Sequence, residues 1–123
     1  LNAGSENIGY AGSGSFTQSG GTHHVNAIYL GNLIGSSGSY TLNGGTLHAL
    51  GVTLVSDRAA LAFNSGQMIL DGGNSSFYTG SPIVVGNGTD PATLTIVSGN
   101  ASFSDGLALA AGAASDASSV NTS

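Results

Sequence analysis

The sequence predicts an all-β fold, a parallel β-solenoid (β-helix) of about five coils, each of 21–24 residues with three short strands. Three observations lead there. The chain is self-similar: IYLGNLIGSSGSYTLNGGTLHALG, residues 28–51, serves as a template over which most of the rest can be laid. Apolar residues alternate with a period of two, the period of a strand with one buried face. Glycine recurs at corner positions 21, 45, 66 and 99, spaced 24, 21 and 33 residues apart. Repeats of that length with short strands and no helical period indicate stacked coils.

The elements follow in order. The template reads as an apolar strand ending at Gly31, a Gly/Ser loop, a second strand (39–42), a Gly44-Gly45 corner and a third strand (46–49). Residues 6–27 match it, with Phe16 on Tyr40, Gly21 on Gly45 and Thr22 on Thr46. Residues 52–73 match more loosely, with Leu61 on Tyr40 and Met68 on Leu47. Residues 74–82 are expected to be an insertion, residues 83–106 a fourth coil and residues 107–123 an incomplete fifth. The whole is one solenoid segment, residues 1–123, of a longer array or assembly.

Alternation assigns the core. Ile28/Leu30, Val52/Leu54, Ile83/Val85 and Leu107/Leu109 point inward on the first strand. Phe16/Gln18, Tyr40/Leu42, Leu61/Phe63, Leu94/Ile96 and Val120/Thr122 do so on the second, and His23/Val25, Leu47/Ala49, Met68/Leu70 and Ala101/Phe103 on the third. No coil buries its face alone, so each relies on its neighbours. The first and last coils show no capping helix or charged edge, and an open end invites strand addition.

Composition narrows the function. One Arg and no Lys against six acidic residues give a net charge of −5. Nucleic acid is excluded as a partner, because binding it requires cations that displace counterions from phosphate. Charged residues make up 6% of the chain, against roughly 25% in an ordinary domain, so Ser, Thr, Asn and Gly must keep it soluble. Cysteine is absent, which removes disulfides and thiolate metal sites. No apolar run approaches the ~18 residues of a membrane span, so no membrane insertion is expected. The chain starts at Leu1 without a signal-peptide pattern, as expected of a processed product or an excised segment.

The phrases ENIGYAGSGSFTQSGGTH and YLGNLIGSSGSYTLNGGTLHA resemble the repeats of large secreted bacterial proteins, the autotransporter-passenger-like and PEP-CTERM-associated β-strand-repeat proteins. The likeness is close over residues 5–51 and looser over 52–109. It departs at Ser56-Asp57-Arg58, at the expected insertion and in the Ala-rich tail. The resemblance implies a secreted, cell-surface or extracellular location and a role as an elongated scaffold, adhesin or filament.

Four groups of residues are candidate sites. His24 and His48 align outward on the third strand, where two imidazoles could share a metal; the next coil places Ile69 there, and a plain surface ladder is the alternative. His23 beside them falls inward and is expected to find a backbone partner or the open end. Asp57, Asp90 and Asp116 fall in loops between first and second strands, an edge that could take calcium or consist of solvated turn residues. Thr17, Thr41, Thr93 and Thr95 lie on the outward face of the second strand, a hydroxyl array suited to ice or glycan, although β-propensity alone explains Thr there.

No catalytic group is expected. Asp71 and Asp105 could approach one another as glycosidase carboxylates do, yet both sit in Asp-Gly turns, where Asp is common. No nucleophile elbow occurs, and one Arg is too few for uronate chemistry. The expected function is therefore a structural or adhesive scaffold that associates through coil ends or flat faces. The alternative is a binding module for glycan, ice or calcium. Expected partners are copies of itself or neighbouring coils, with polysaccharide as a further possibility. No cofactor is expected, calcium apart.

Overall fold

The computed structural model describes residues 2–31, 33–54, 58–78, 80–87, 90–109 and 119–122. Among them are nine strands and no helix: β1 (Asn2–Ile8), β2 (Ser13–Gln18), β3 (Thr22–Leu30), β4 (Ser37–Leu54), β5 (Ala59–Phe77), β6 (Ile83–Val85), β7 (Ala92–Phe103), β8 (Leu107–Leu109) and β9 (Ser119–Thr122). Every pairing is parallel. A parallel neighbour needs a crossover, and here the crossover is the remainder of the coil. The chain therefore winds one way as a β-solenoid of about four turns, slightly fewer than the five coils expected.

Three sides enclose the core. On the second side β2 pairs with residues 37–42 of β4, these pair with residues 59–63 of β5, Phe63 pairs with Val85 of β6, and β6 pairs with β8. On the third side His23, Leu47, Met68 and Leu94 stand in one column, and Val25, Ala49, Leu70 and Ile96 in the next. On the first side Ile8, Leu30, Leu54, Phe77 and Phe103 form a column. The rings of Phe77 and Phe103 stack with centroids 4.6 Å apart, close to the ~4.8 Å between paired strands. Leu30, Leu42, Ala49 and Val85 are fully buried, and Tyr40, Leu47, Leu54, Met68 and Leu94 nearly so. Each such Leu, Val or Met side chain contributes about 1.5–3 kcal/mol by leaving water.

The inward and outward parity of the strands follows the sequence, but the frame beyond residue 73 does not. Residues 74–77 are no insertion. Ser76 pairs with Thr53 and Ser102, and Phe77 with Leu54 and Phe103. Val52 donates its N–H to Ser75 Oγ at 3.1 Å. These residues are the first-side strand of their coil. Everything after them moves on by one side: Ile83/Val85 lie on the second side, Leu94/Ile96 on the third and Ala101/Phe103 on the first. The expected coils 83–106 and 107–123 therefore begin one side later than the template does.

Glycine is what misled the frame. Gly21, Gly45 and Gly66 do share a corner; a Cβ on Gly45 would run into the Gly21 carbonyl, and the Gly45 φ of 78° is left-handed. The next residue in that corner is Ala92, which pairs with Gly66. Gly99 instead packs over Gly72 and Gly73, at the corner between the third and first sides.

Candidate functional site

The concentration of polar chemistry lies at the N-terminal end of the stack. Three inward positions that carry apolar residues one coil later carry polar ones here. Gln18 stands before Leu42, His23 before Leu47 and Glu6 before Ile28. Alternation turns all three toward the axis, so they meet. Gln18 and His23 are buried, and Glu6 is partly so.

The hydrogen bonds form a directed chain. Gln18 Nε2 donates to the carbonyls of Gly20, Gly21 and Thr46 at 3.3, 3.2 and 2.9 Å. That fixes the amide and turns Oε1 to the Tyr40 hydroxyl, which donates to it at 2.7 Å. Burial, and then the Glu6 charge, push the Tyr40 phenol well above the usual tyrosine range, so it keeps its proton. With that proton committed to Gln18, the Tyr40 oxygen accepts from His23 Nδ1 at 2.8 Å. His23 Nε2 lies 3.1 Å from Glu6 Oε2. This is ion-pair distance but off the line a hydrogen bond requires, and neither atom has another partner. Phe16 stacks on His23 and on Tyr40, each at a centroid separation of 5.1 Å. An open cavity of about 320 Å³ runs along residues 16–23, beside β2, which pairs with β4 alone.

The inward placement of His23 was legible in the sequence; its partners were not. They are side chains, Tyr40 and Glu6, rather than a backbone group. The signal was two polar residues, Gln18 and His23, at core positions, since buried polar groups need partners. Glu6, on another side of the same coil, and the Tyr40 hydroxyl, on the next coil, lie 17 residues from His23 in each direction, so no local motif joins them.

The second cluster is outward. His24 and His48 pair in register, with ring centroids 4.9 Å apart. His48 Nε2 lies 3.3 Å from Asp71 Oδ2, and Asp71 Oδ1 accepts from Ser98 Oγ at 3.1 Å. Asp71 thus bridges the coils on either side of it. Ile69 follows His48 in the ladder. Among the described residues no group of three or more His, Asp or Glu is placed to hold a metal ion. Asp105 stands at another corner, where its Oδ2 accepts the Gly80 N–H at 2.9 Å.

The expected acidic edge is not assembled as proposed. Asp57 and Asp116 lie outside the described residues. Asp90 sits between β6 and β7, at the corner joining the second and third sides and not the first and second. Its backbone N–H donates to Asn87 Oδ1 at 2.8 Å, and its carboxylate accepts from Asn87 Nδ2 at 3.3 Å. That is a local turn.

The hydroxyl array is split between two sides. Ser15 and Thr17 pair with Ser39 and Thr41 on the second side, where Ala60 and Ala62 follow. Thr93 and Thr95 pair with Gln67 and Ile69 on the third side, in the ladder that begins with Thr22 and His24. The frame shift at residues 74–77 is the reason.

Comparison of the chain with protein-family models, with curated protein sequences and with solved structures gives no match.

Proposed function

We propose that this chain is a structural segment of an extracellular or cell-surface scaffold, and that it associates through its coil ends or flat faces. The observation that carries the reading is the run of parallel ladders from β1 to β9, in which, among the described residues, β1 and β2 each pair along one edge. Parallel ladders make the stack stiff along its axis. An unpaired edge offers backbone N–H and C=O groups to another strand. The few charges on the surface leave little repulsion between approaching copies. The resemblance of residues 5–51 to secreted β-strand repeats supports the location, and the scaffold role needs no catalytic residue. Sedimentation and electron microscopy over a rising concentration series test it: dimers or end-to-end stacks are expected, and a strict monomer throughout would defeat the self-association.

A second reading rests on a patch of the second side where hydroxyl residues pair in register, Ser15, Thr17, Ser39 and Thr41. Such a flat patch suits a glycan surface. Thr41→Tyr would then abolish retention on a polysaccharide column while leaving the association of copies unchanged; equal retention of both proteins would end that reading.

A further inference from the structure

We infer that the Glu6–His23 pair is a proton-held latch that fastens β1 to the end of the stack. The argument is a count of donors. Three carbonyls fix the Gln18 amide, Gln18 Oε1 takes the Tyr40 proton, and the Tyr40 oxygen takes the proton on His23 Nδ1. A neutral His23 in that tautomer presents a bare lone pair at Nε2, 3.1 Å from a carboxylate oxygen that offers only lone pairs. Both atoms are shut off from water and have no other partner. Two buried acceptors facing one another repel, and each forgoes a hydrogen bond. One proton between them removes the conflict, either as imidazolium against carboxylate or as neutral imidazole against carboxylic acid.

Among the described residues, the groups around His23 supply no other donor. From β1 comes Glu6, from β2 the Phe16 ring and the committed Gln18, and from β4 the Tyr40 hydroxyl and Leu47. His24 turns to the opposite face, toward His48. The folded pair therefore keeps a proton that the unfolded chain releases to neutral solution. By linkage, a proton bound in the folded state alone stabilises the fold in acid, and that stabilisation is lost as pH rises. Glu6 lies on β1, which among the described residues pairs with β3, so loss of the proton loosens that strand first.

The test compares Glu6→Gln with the parent, both in an Asp71→Asn background so that the His48–Asp71 pair does not contribute. The glutamine amide brings its own N–H to His23 Nε2 and needs no shared proton. Denaturant unfolding followed by circular dichroism, from about pH 5 to about pH 9, should show the parent's unfolding constant rising by up to tenfold per pH unit through the release of one proton. The Glu6→Gln protein should lose stability toward pH 5, where the unfolded His23 takes up a proton that the folded neutral ring does not, and should be flat from about pH 7 upward, where the parent's constant rises. Parallel slopes in the two proteins would overturn the latch. Nitrogen-15 spectra of the His23 ring in the folded parent give an independent reading. Neutral His23 with a protonated Glu6 and imidazolium His23 both place a proton between Nε2 and Oε2, and either supports the latch. A bare Nε2 beside an ionised Glu6 across the whole range overturns it.

Discussion

The middle of the stack and its N-terminal end use the same strand positions for different chemistry. In the middle, Ile28, Leu42 and Leu47 fill the three sides and are almost wholly buried. At the end, Gln18 and His23 occupy the second and third sides one coil earlier, and Glu6 the first. A coil with neighbours above and below can be purely apolar, because both its faces are covered. A terminal coil has one covered face, and an apolar surface on the other would attract any available partner. Here polar side chains meet instead, and Gln18, Tyr40 and His23 are joined through the Tyr40 hydroxyl. The other end differs again: Phe103, Ile96 and Ala101 are only partly buried against the core, and Leu107 is exposed.

Substitutions can break this contrast, and the largest effect belongs to the middle. Leu42→Ala removes a fully buried side chain between two coils and should cost about 2–5 kcal/mol in denaturant unfolding; a value under ~1 kcal/mol would mean that the core is not packed as described. Phe77→Ala should cost about 3–5 kcal/mol and Phe103→Ala clearly less, because Phe77 is covered on both faces and Phe103 is half-exposed. Equal losses in that pair would indicate that something covers Phe103. At the end, Tyr40→Phe keeps the ring and its stacking but orphans Gln18 Oε1 and His23 Nδ1. The expected loss is about 1–3 kcal/mol, read from the same unfolding curves, and no loss would argue against a connected layer. The smallest effect is on the outer surface. Asp71→Asn, at a pair whose side chains are 31% and 39% exposed, should change stability by at most ~1 kcal/mol.

Particular residues show how far the sequence could be read. His24 and His48 were placed together by matching one repeat to the next, and their rings do adjoin. The pairing of Asp71 with His48 was not legible because the two lie 23 residues apart, across a corner whose length changes between coils. Five steps lead from Ala49 to Leu54 and seven from Leu70 to Phe77 on the paired strand. Thr93 and Thr95 were assigned to the wrong side for the same reason, since two added residues at that corner made a true strand resemble an insertion.

The sequence by itself determined the all-β class, the stacking of repeats and which residues face inward on most strands between residues 13 and 103. Those follow from period-two alternation and glycine at tight corners, both local properties of the chain. Only the tertiary structure decided which side of the solenoid each strand after residue 73 occupies. The three sides share one apolar pattern and all three of their corners use glycine, so moving a strand by one whole side preserves its inward and outward parity. Parallel hydrogen bonding to the coil before it removes that degeneracy. The Glu6–His23–Tyr40–Gln18 layer is of the same kind: each member is an ordinary residue in its own strand, and stacking alone brings the four into contact.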